Sequence, residues 1–392
     1  MKGTLALWYE PLGGGVEVPE PRPKVELHLN LWRDLPSDTN FLDIGIMFDS
    51  QEQLKRFYLY IPARISVGHI VNLSGVLKSG ATLNAVFNDV VQRGISGDGW
   101  YDINRSGVVD RVFEIERRHI SLERDRDPVF GDGTVITFDE KISKSIREAG
   151  KRGYVRFRVR LEGAAATTFS SDLAARDRAF ASSPARLELT EFRLNERRSF
   201  PRTISEAADR GGFHITTIHY FLIRDLEHEL VMQHAPFEKV RRLEAPLWSE
   251  YVAGIDPQDP KLIEKVADRL VIYHWKVKEK PPAKPGDAAK PIEDFVAFAS
   301  FRTTSTSLLF YAFVIVLLGA CGSLLAAFVT QPLAEWLALE PAKPRTVLAS
   351  LLLLVLLFVL ITAIAYLAPQ AGARNRPFKS SFKRADSPRN DV

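Results

Sequence analysis

LASLLLLVLLFVLITAIAYLA, residues 348–368, contains no charged residue and offers no polar face to a helix. A second charge-free run, LLFYAFVIVLLGACGSLLAAFV, occupies 308–329. A helix rises about 1.5 Å per residue and a hydrocarbon core is about 30 Å thick, so Leu308–Val329 and Val347–Leu367 are each long enough to cross once. The sequence therefore predicts a two-helix transmembrane hairpin, transmembrane helices 308–329 and 347–367, joined by a short external loop over 330–346. The loop carries Lys343 and Arg345 against Glu335 and Glu340. The tail, 368–392, carries Arg374, Arg376, Lys379, Lys383, Arg384 and Arg389. Positive charge stays inside, which places both termini in the cytoplasm and the chain in the inner (plasma) membrane. The start, MKGTLALWYEPLGGG, is broken by Glu10 and Pro11 before an apolar core of signal length, so no signal peptide is expected.

Neither run holds Asp, Glu, Lys, Arg or His, which removes the side chains a proton relay or ion-coupled transporter needs. In the first run Gly319, Ser323 and Ala327 recur every four residues. Small residues at that spacing let helix backbones approach closely, either against the second run or in a homo-oligomer. The single cysteine, Cys321, excludes a disulfide framework within the chain. The net charge of +4 sits largely in the tail, so the lipid bilayer rather than nucleic acid is the expected anionic partner.

Upstream, residues 1–277 read as a strand-rich cytoplasmic domain of β-rich α+β, sandwich-like class, with an internal boundary near 164–171. VELHLNLW puts Val25, Leu27, Leu29 and Leu31 on one face by strict alternation. FLDIGIMF, RFYLYIPARI, TVITF, YVRFRVRL, ARLELTEF, HITTIHYFLI and LVIYHWKV extend the pattern, separated by turn clusters such as SGDG, NRSG and FGDG. DEKISKSIREAGKR, SDLAARDRAFA and PKLIEKVADRL are expected helices. A Pro/Lys-rich linker spans 278–294. After it, DFVAFASFR spaces Phe295, Phe298 and Phe301 three apart, as for a helix lying at a headgroup surface.

The motif search excludes more than it finds. Gly13–Gly15 and GISGDG (94–99) are followed by no helix, so neither is a phosphate loop. Asp102, Asn104, Ser106, Gly107 and Asp110 match part of a calcium loop, but Phe113 stands where the bidentate Glu belongs, which leaves a polar turn. Four of the eight histidines, His214, His219, His228 and His234, fall close together without metal-ligand spacing, and a metal site there needs residues from elsewhere. On a regular strand His214 and His219 face opposite ways. No serine or cysteine nucleophile context accompanies them, and no catalytic residue is assigned.

YVRFRVRL carries the leading ligand hypothesis. Arg156, Arg158 and Arg160 share one strand face, with Lys151 and Arg152 just before, and guanidinium groups at strand spacing suit phosphate. The competing reading is a strand face balanced by Glu114 and Glu116 across the sheet. The function expected is a non-enzymatic sensor or effector. Its cytoplasmic domain binds an anionic small molecule or nucleotide without a cofactor and couples to a self-associating hairpin, as in antiphage membrane effectors. The alternatives are a tethered protein–protein scaffold and a metal- or His-dependent hydrolase.

Overall fold

The computed structural model describes residues 3–13, 21–34, 40–174, 185–235, 237–244, 246–248, 251, 269–282, 289–304 and 308–338. The described chain runs β1 (Ala6–Pro11), β2 (Lys24–Trp32), β3 (Asn40–Ser50), β4 (Leu54–Ile61), β5 (Ile70–Asn72), α1 (Gly80–Phe87), β6 (Val91–Gly97), β7 (Trp100–Arg105), β8 (Val108–Phe113), β9 (Ile120–Asp127) and β10 (Gly131–Phe138). It continues as α2 (Glu140–Arg147), β11 (Gly153–Leu161), β12 (Ser170–Ala174), β13 (Ala185–Leu194), α3 (Arg202–Arg210), β14 (His214–Asp225), β15 (Glu229–Gln233), β16 (Lys239–Arg242), β17 (Leu270–Lys278), β18 (Phe295–Thr304) and α4 (Leu308–Ala338). By compactness the chain forms two units, one of 1–174 with 186–303 and one of 175–185 with 304–392.

The first unit is β-rich. Its largest sheet has ten strands in the order β16-β17-β14-β2-β3-β11-β8-β7-β6, with β5 also on β11. Two four-stranded sheets, β1-β4-β10-β9 and β12-β13-β18-β15, complete it. The alternation of β2 decides where the core sits. Val25, Leu27, Leu29 and Leu31 enter one cluster with Phe57, Leu59, Ile136 and Phe138 of the first small sheet and Phe192, Phe295 and Phe301 of the second. Each such side chain, fully buried, stabilises the fold by about 1.5–3 kcal/mol. The opposite face of the large sheet carries a second cluster, in which Trp32, Tyr154 and Ile223 meet Leu83 and Phe87 of α1 with Trp248 and Tyr251.

Local chemistry sets the ends of elements. Asp139 caps α2 by accepting from the Ile142 backbone N–H at 3.0 Å, and Ile142 and Ile146 are buried one turn apart. Ser106 (φ 51°) and Gly107 (φ 84°) close the β7–β8 hairpin with two left-handed residues, the pattern of a type I′ turn. The calcium-like stretch is thus a strand turn, with Asp102 paired to Arg111 and Lys151 and Asp110 to Arg152. β6, the last strand of the large sheet among the described residues, is exposed beyond Val91, and its register with β7 breaks between Arg93 and Ser96.

Three expectations are corrected. The two-helix transmembrane hairpin does not stand, nor does the inner-membrane placement with both termini cytoplasmic that rested on it. Among the described residues, no helix is long and apolar enough to cross a membrane. The first apolar run lies in α4, Leu308–Ala338. α4 also continues to Ala338, through residues expected in the external loop. The second run, 347–367, and the tail lie outside the described residues. Absence of charge says only that a helix has no polar face, and it fixes neither a span nor a pairing.

The second correction concerns DFVAFASFR, which is strand β18. Phe295, Ala297, Ala299 and Phe301 are all buried at a period of two, and that alternation overrides the three-residue spacing of the phenylalanines. The third concerns SDLAARDRAFA, which begins as strand β12, with residues beyond Ala174 outside the described set. PKLIEKVADRL falls almost wholly outside it as well.

Candidate functional site

Every second residue of β2 turns away from the main core, and so Glu26, His28, Asn30 and Trp32 line the other face of the large sheet. The ladder sets their neighbours. β3 pairs His28 with Gly45 and Asn30 with Asp43, and β11 then pairs Gly45 with Arg156 and Asp43 with Arg158. On the other side the parallel strand β14 pairs His219 with His28, and β17 pairs Phe221 with His274. Residues far apart in sequence therefore share one polar row.

A β-bulge makes this row possible. The register of β14 on β2 slips between Ile215 and Thr217, and the Thr216 hydroxyl donates to the Val25 carbonyl at 3.1 Å. Ile215 and Ile218, three apart, then both face the core, and His219 joins His28 on the polar side. His214 and His219 share a face for the same reason, which corrects the opposed orientation a regular strand predicts.

The side chains form one continuous chain of contacts. Glu26 Oε1 lies 2.8 Å from His28 Nε2 and 3.5 Å from His219 Nε2. His219 Nδ1 lies 3.1 Å from His274 Nε2, and His28 Nδ1 lies 3.2 Å from the Tyr154 hydroxyl. That hydroxyl accepts from Arg156 Nη1 at 3.0 Å, and Arg156 Nε donates to the Tyr251 hydroxyl at 3.0 Å. Tyr251 donates to Asp43 Oδ2 at 2.6 Å. Asp43 also takes both Nε and Nη2 of Arg158, at 2.5 and 2.8 Å, and the Trp32 indole N–H at 2.7 Å.

Charge in this row follows from burial and neighbours. Burial lowers His28, His219 and His274, the last to about 4, so all three rings are neutral near pH 7. Burial acts to raise Glu26, but its hydrogen bond with His28 and the electrostatic pull of His28, His219 and Arg105 together outweigh that, and the carboxyl stays ionised. Arg156 and Arg158 are each 1% exposed and Asp43 is 0% exposed, so two enclosed guanidinium groups share one enclosed carboxylate. Arg156 Nη2, Arg158 Nη1 and Asn30 Oδ1 have no hydrogen-bond partner among the described residues.

The structure treats the four arginines of the expected phosphate cradle differently. Arg156 and Arg158 are enclosed, Arg160 is half-buried on the same strand, and Arg152 pairs with Asp110 and Asp49. The acidic neighbour across the sheet is Asp43, not Glu114 or Glu116. The four clustered histidines are not brought together. His214 meets Glu279, His228 meets Asp34, and the His234 backbone N–H donates to the Phe298 carbonyl. Only His219 enters the polar row, where its partners come from β2 and β17. Gly319, Ser323 and Ala327 are exposed on α4, in the other unit. Glu26, His28, His274 and Asp43 were not singled out from sequence. For Glu26 and His28 the one signal is the polar alternation of VELHLNLW, while Asp43 and His274 lie on other strands and reach the row through pairing.

A second cluster, Asp34, Glu188 and His228, also gathers ligand-type atoms. Here Arg224, fully buried, donates to both carboxylates and Arg33 donates to Glu188, so the carboxylate oxygens are committed to an ion network. Burial acts to raise both carboxyls. The charges and hydrogen bonds of Arg224 and Arg33, with His228 beside Asp34, together outweigh it, and both lie below their ordinary values. Groups depressed in the folded state stabilise it above the unfolded pKa values, about 3.9–4.3, and cease to do so as pH falls through the folded ones. The urea midpoint is therefore expected to drop on acidification from pH 5 towards 3. Glu188→Gln should flatten that drop, and an unchanged slope in this variant would count against the assignment.

Known proteins add little. No known protein family matches the chain, and no curated protein matches it. Among solved structures, native yeast LTA4 hydrolase aligns at a TM-score of 0.24 and 7% identity, over 72% of this chain and 29% of its own. This chain thus spans 29% of that protein's length, and a likeness so weak carries no argument about fold or activity.

Proposed function

We propose that this chain is a non-enzymatic ligand-binding protein whose β-rich unit takes up a small anion, a phosphoryl- or nucleotide-type group, on the polar row of its large sheet. The observation that supports the reading is the imbalance at Arg156 and Arg158. Two buried guanidinium groups face one buried carboxylate, and each keeps a nitrogen without a hydrogen-bond partner among the described residues. Among the described residues, the Arg156 side chain hydrogen-bonds to the phenols of Tyr154 and Tyr251, and Asp43 is the carboxylate that acts on its charge. Two enclosed cations that share one carboxylate, Asp43, are costly, and a bound anion with several acceptor oxygens offsets that cost. Phosphate presents such oxygens, and Arg is the side chain whose geometry matches them.

The test is a thermal-shift series on the full chain with inorganic phosphate, sulfate and nucleoside mono-, di- and triphosphates. A ligand at one hundred times its dissociation constant adds about 2.7 kcal/mol, which reads as a clear rise in midpoint. Arg156→Met removes the excess charge, so the variant is expected to match the parent in stability and to lose the response. A flat series with folded parent protein, or an undiminished response in Arg156→Met, would falsify the reading.

A further inference from the structure

We infer that Glu26, His28 and His219 form a binding site for one divalent transition-metal ion of the zinc class. The inference uses different ligand atoms from the anion reading and does not depend on it. Two imidazole nitrogens and one carboxylate oxygen are the donor set of borderline metals such as Zn²⁺, Co²⁺ and Ni²⁺, and a poor one for Mg²⁺ or Ca²⁺, which take oxygen.

The placement fits that chemistry. Zinc holds N and O ligands at about 2.0–2.2 Å, so two donors on one ion stand about 2.8–3.6 Å apart. Glu26 Oε1 is 2.8 Å from His28 Nε2 and 3.5 Å from His219 Nε2, and all three donor atoms lie within 4.8 Å of one another. The ligands come from two adjacent strands rather than a loop. The register that opposes His28 to His219 is fixed by hydrogen bonds along β2 and β14. Each ring is also held at its far nitrogen, His28 Nδ1 by the Tyr154 hydroxyl and His219 Nδ1 by His274. Orienting contacts of this kind aim the near nitrogen and raise its basicity.

Uptake requires one rearrangement of protons. Without metal, His28 Nε2–H donates to Glu26 and Nδ1 accepts from Tyr154. With metal, Nε2 gives its lone pair to the ion, and the ring proton sits on Nδ1 and is donated to the Tyr154 oxygen. His219 does the same, donating Nδ1–H to His274 Nε2, and the neutral His274 ring then carries its own proton on Nδ1. Both rings remain neutral, Glu26 remains anionic, and no net proton is lost from the three ligands. Arg224 and Arg33 occupy the equivalent oxygens in the Asp34–Glu188–His228 cluster, which is why the site is placed here and not there.

The experiment uses the full chain stripped with chelator, titrated with Co²⁺ followed by its visible absorption and then displaced by Zn²⁺, with Mg²⁺ as a contrast. One equivalent of Co²⁺ is expected, displaced by Zn²⁺ and not by Mg²⁺. Glu26→Gln, nearly isosteric, and His219→Ala should each weaken binding more than 100-fold. Tyr154→Phe should weaken it 10–100-fold through the loss of the contact that aims His28. His214→Ala, outside the cluster, should leave it unchanged. Folding of each variant is read from its urea midpoint. No Co²⁺ bound by folded parent protein, or one equivalent retained in both Glu26→Gln and His219→Ala, overturns the inference. Neither result bears on the phosphate series, whose key variant is Arg156→Met.

Discussion

Asp43→Ala is expected to lower the free energy of unfolding by about 3–5 kcal/mol, the range found when one partner of a buried ion pair is removed. Among the described residues, Asp43 is the one buried carboxylate within hydrogen-bond reach of Arg158, and it also accepts from Trp32 and Tyr251. Its loss leaves a guanidinium, an indole N–H and a phenol without their acceptor, beside a second enclosed guanidinium at Arg156. A paired substitution separates charge from shape. Asp43→Leu with Arg158→Met removes both charges and keeps apolar volume, and it should recover more than half of the loss, because well-packed apolar pairs often replace buried ion pairs without cost. Urea unfolding of the single and double variants measures both. A single variant within about 1 kcal/mol of the parent would show that Asp43 is not the anchor of this row.

Gly45→Ala should cost about 2–4 kcal/mol, from overpacking and from loosened buried hydrogen bonds. A Cβ at Gly45 stands 2.2 Å from the Tyr154 hydroxyl oxygen, 2.9 Å from its Cζ and 3.0 Å from Arg156 Nη1. Tyr154 is fully buried, and Gly45 is fixed between β2 and β11, so neither side yields easily. The displaced hydroxyl is the one that touches both His28 and Arg156. Adding Tyr154→Phe removes the closest atom and should restore part of the stability lost in Gly45→Ala. If the double variant is less stable than the single one by the full cost of Tyr154→Phe alone, the two positions do not compete for space and the argument fails.

The strands of this protein are legible because their faces differ. VELHLNLW and YVRFRVRL alternate so strictly that β2 and β11 follow at once, with the apolar side of each in the core. The fate of their polar sides is not legible. Arg156 and Arg158 look like a surface until Asp43, 115 residues from Arg158, and Tyr251, 95 residues from Arg156, enclose them. Long-range pairing decides that, and nothing local to YVRFRVRL encodes it. The histidines fail for a sharper reason. His219 acquires its partners through parallel pairing with a strand near the start of the chain, and the bulge at Thr216 reverses the face that counting by twos assigns. DFVAFASFR shows two periods in one segment, where the period of the smaller buried residues won.

A sheet of ten strands has two ends, and each could in principle template a stranger's strand. One end is β16, four residues of sequence KVRR, too short and too basic to offer a flat ladder. The other is β6, where the register breaks between Arg93 and Ser96 and two glycines interrupt the row of side chains. Short charged edges and bulged edges both resist open-ended stacking. Among the described strands, each end of the large sheet thus resists growth without being rolled into a barrel, and crowding many copies together should not readily seed fibres from these edges.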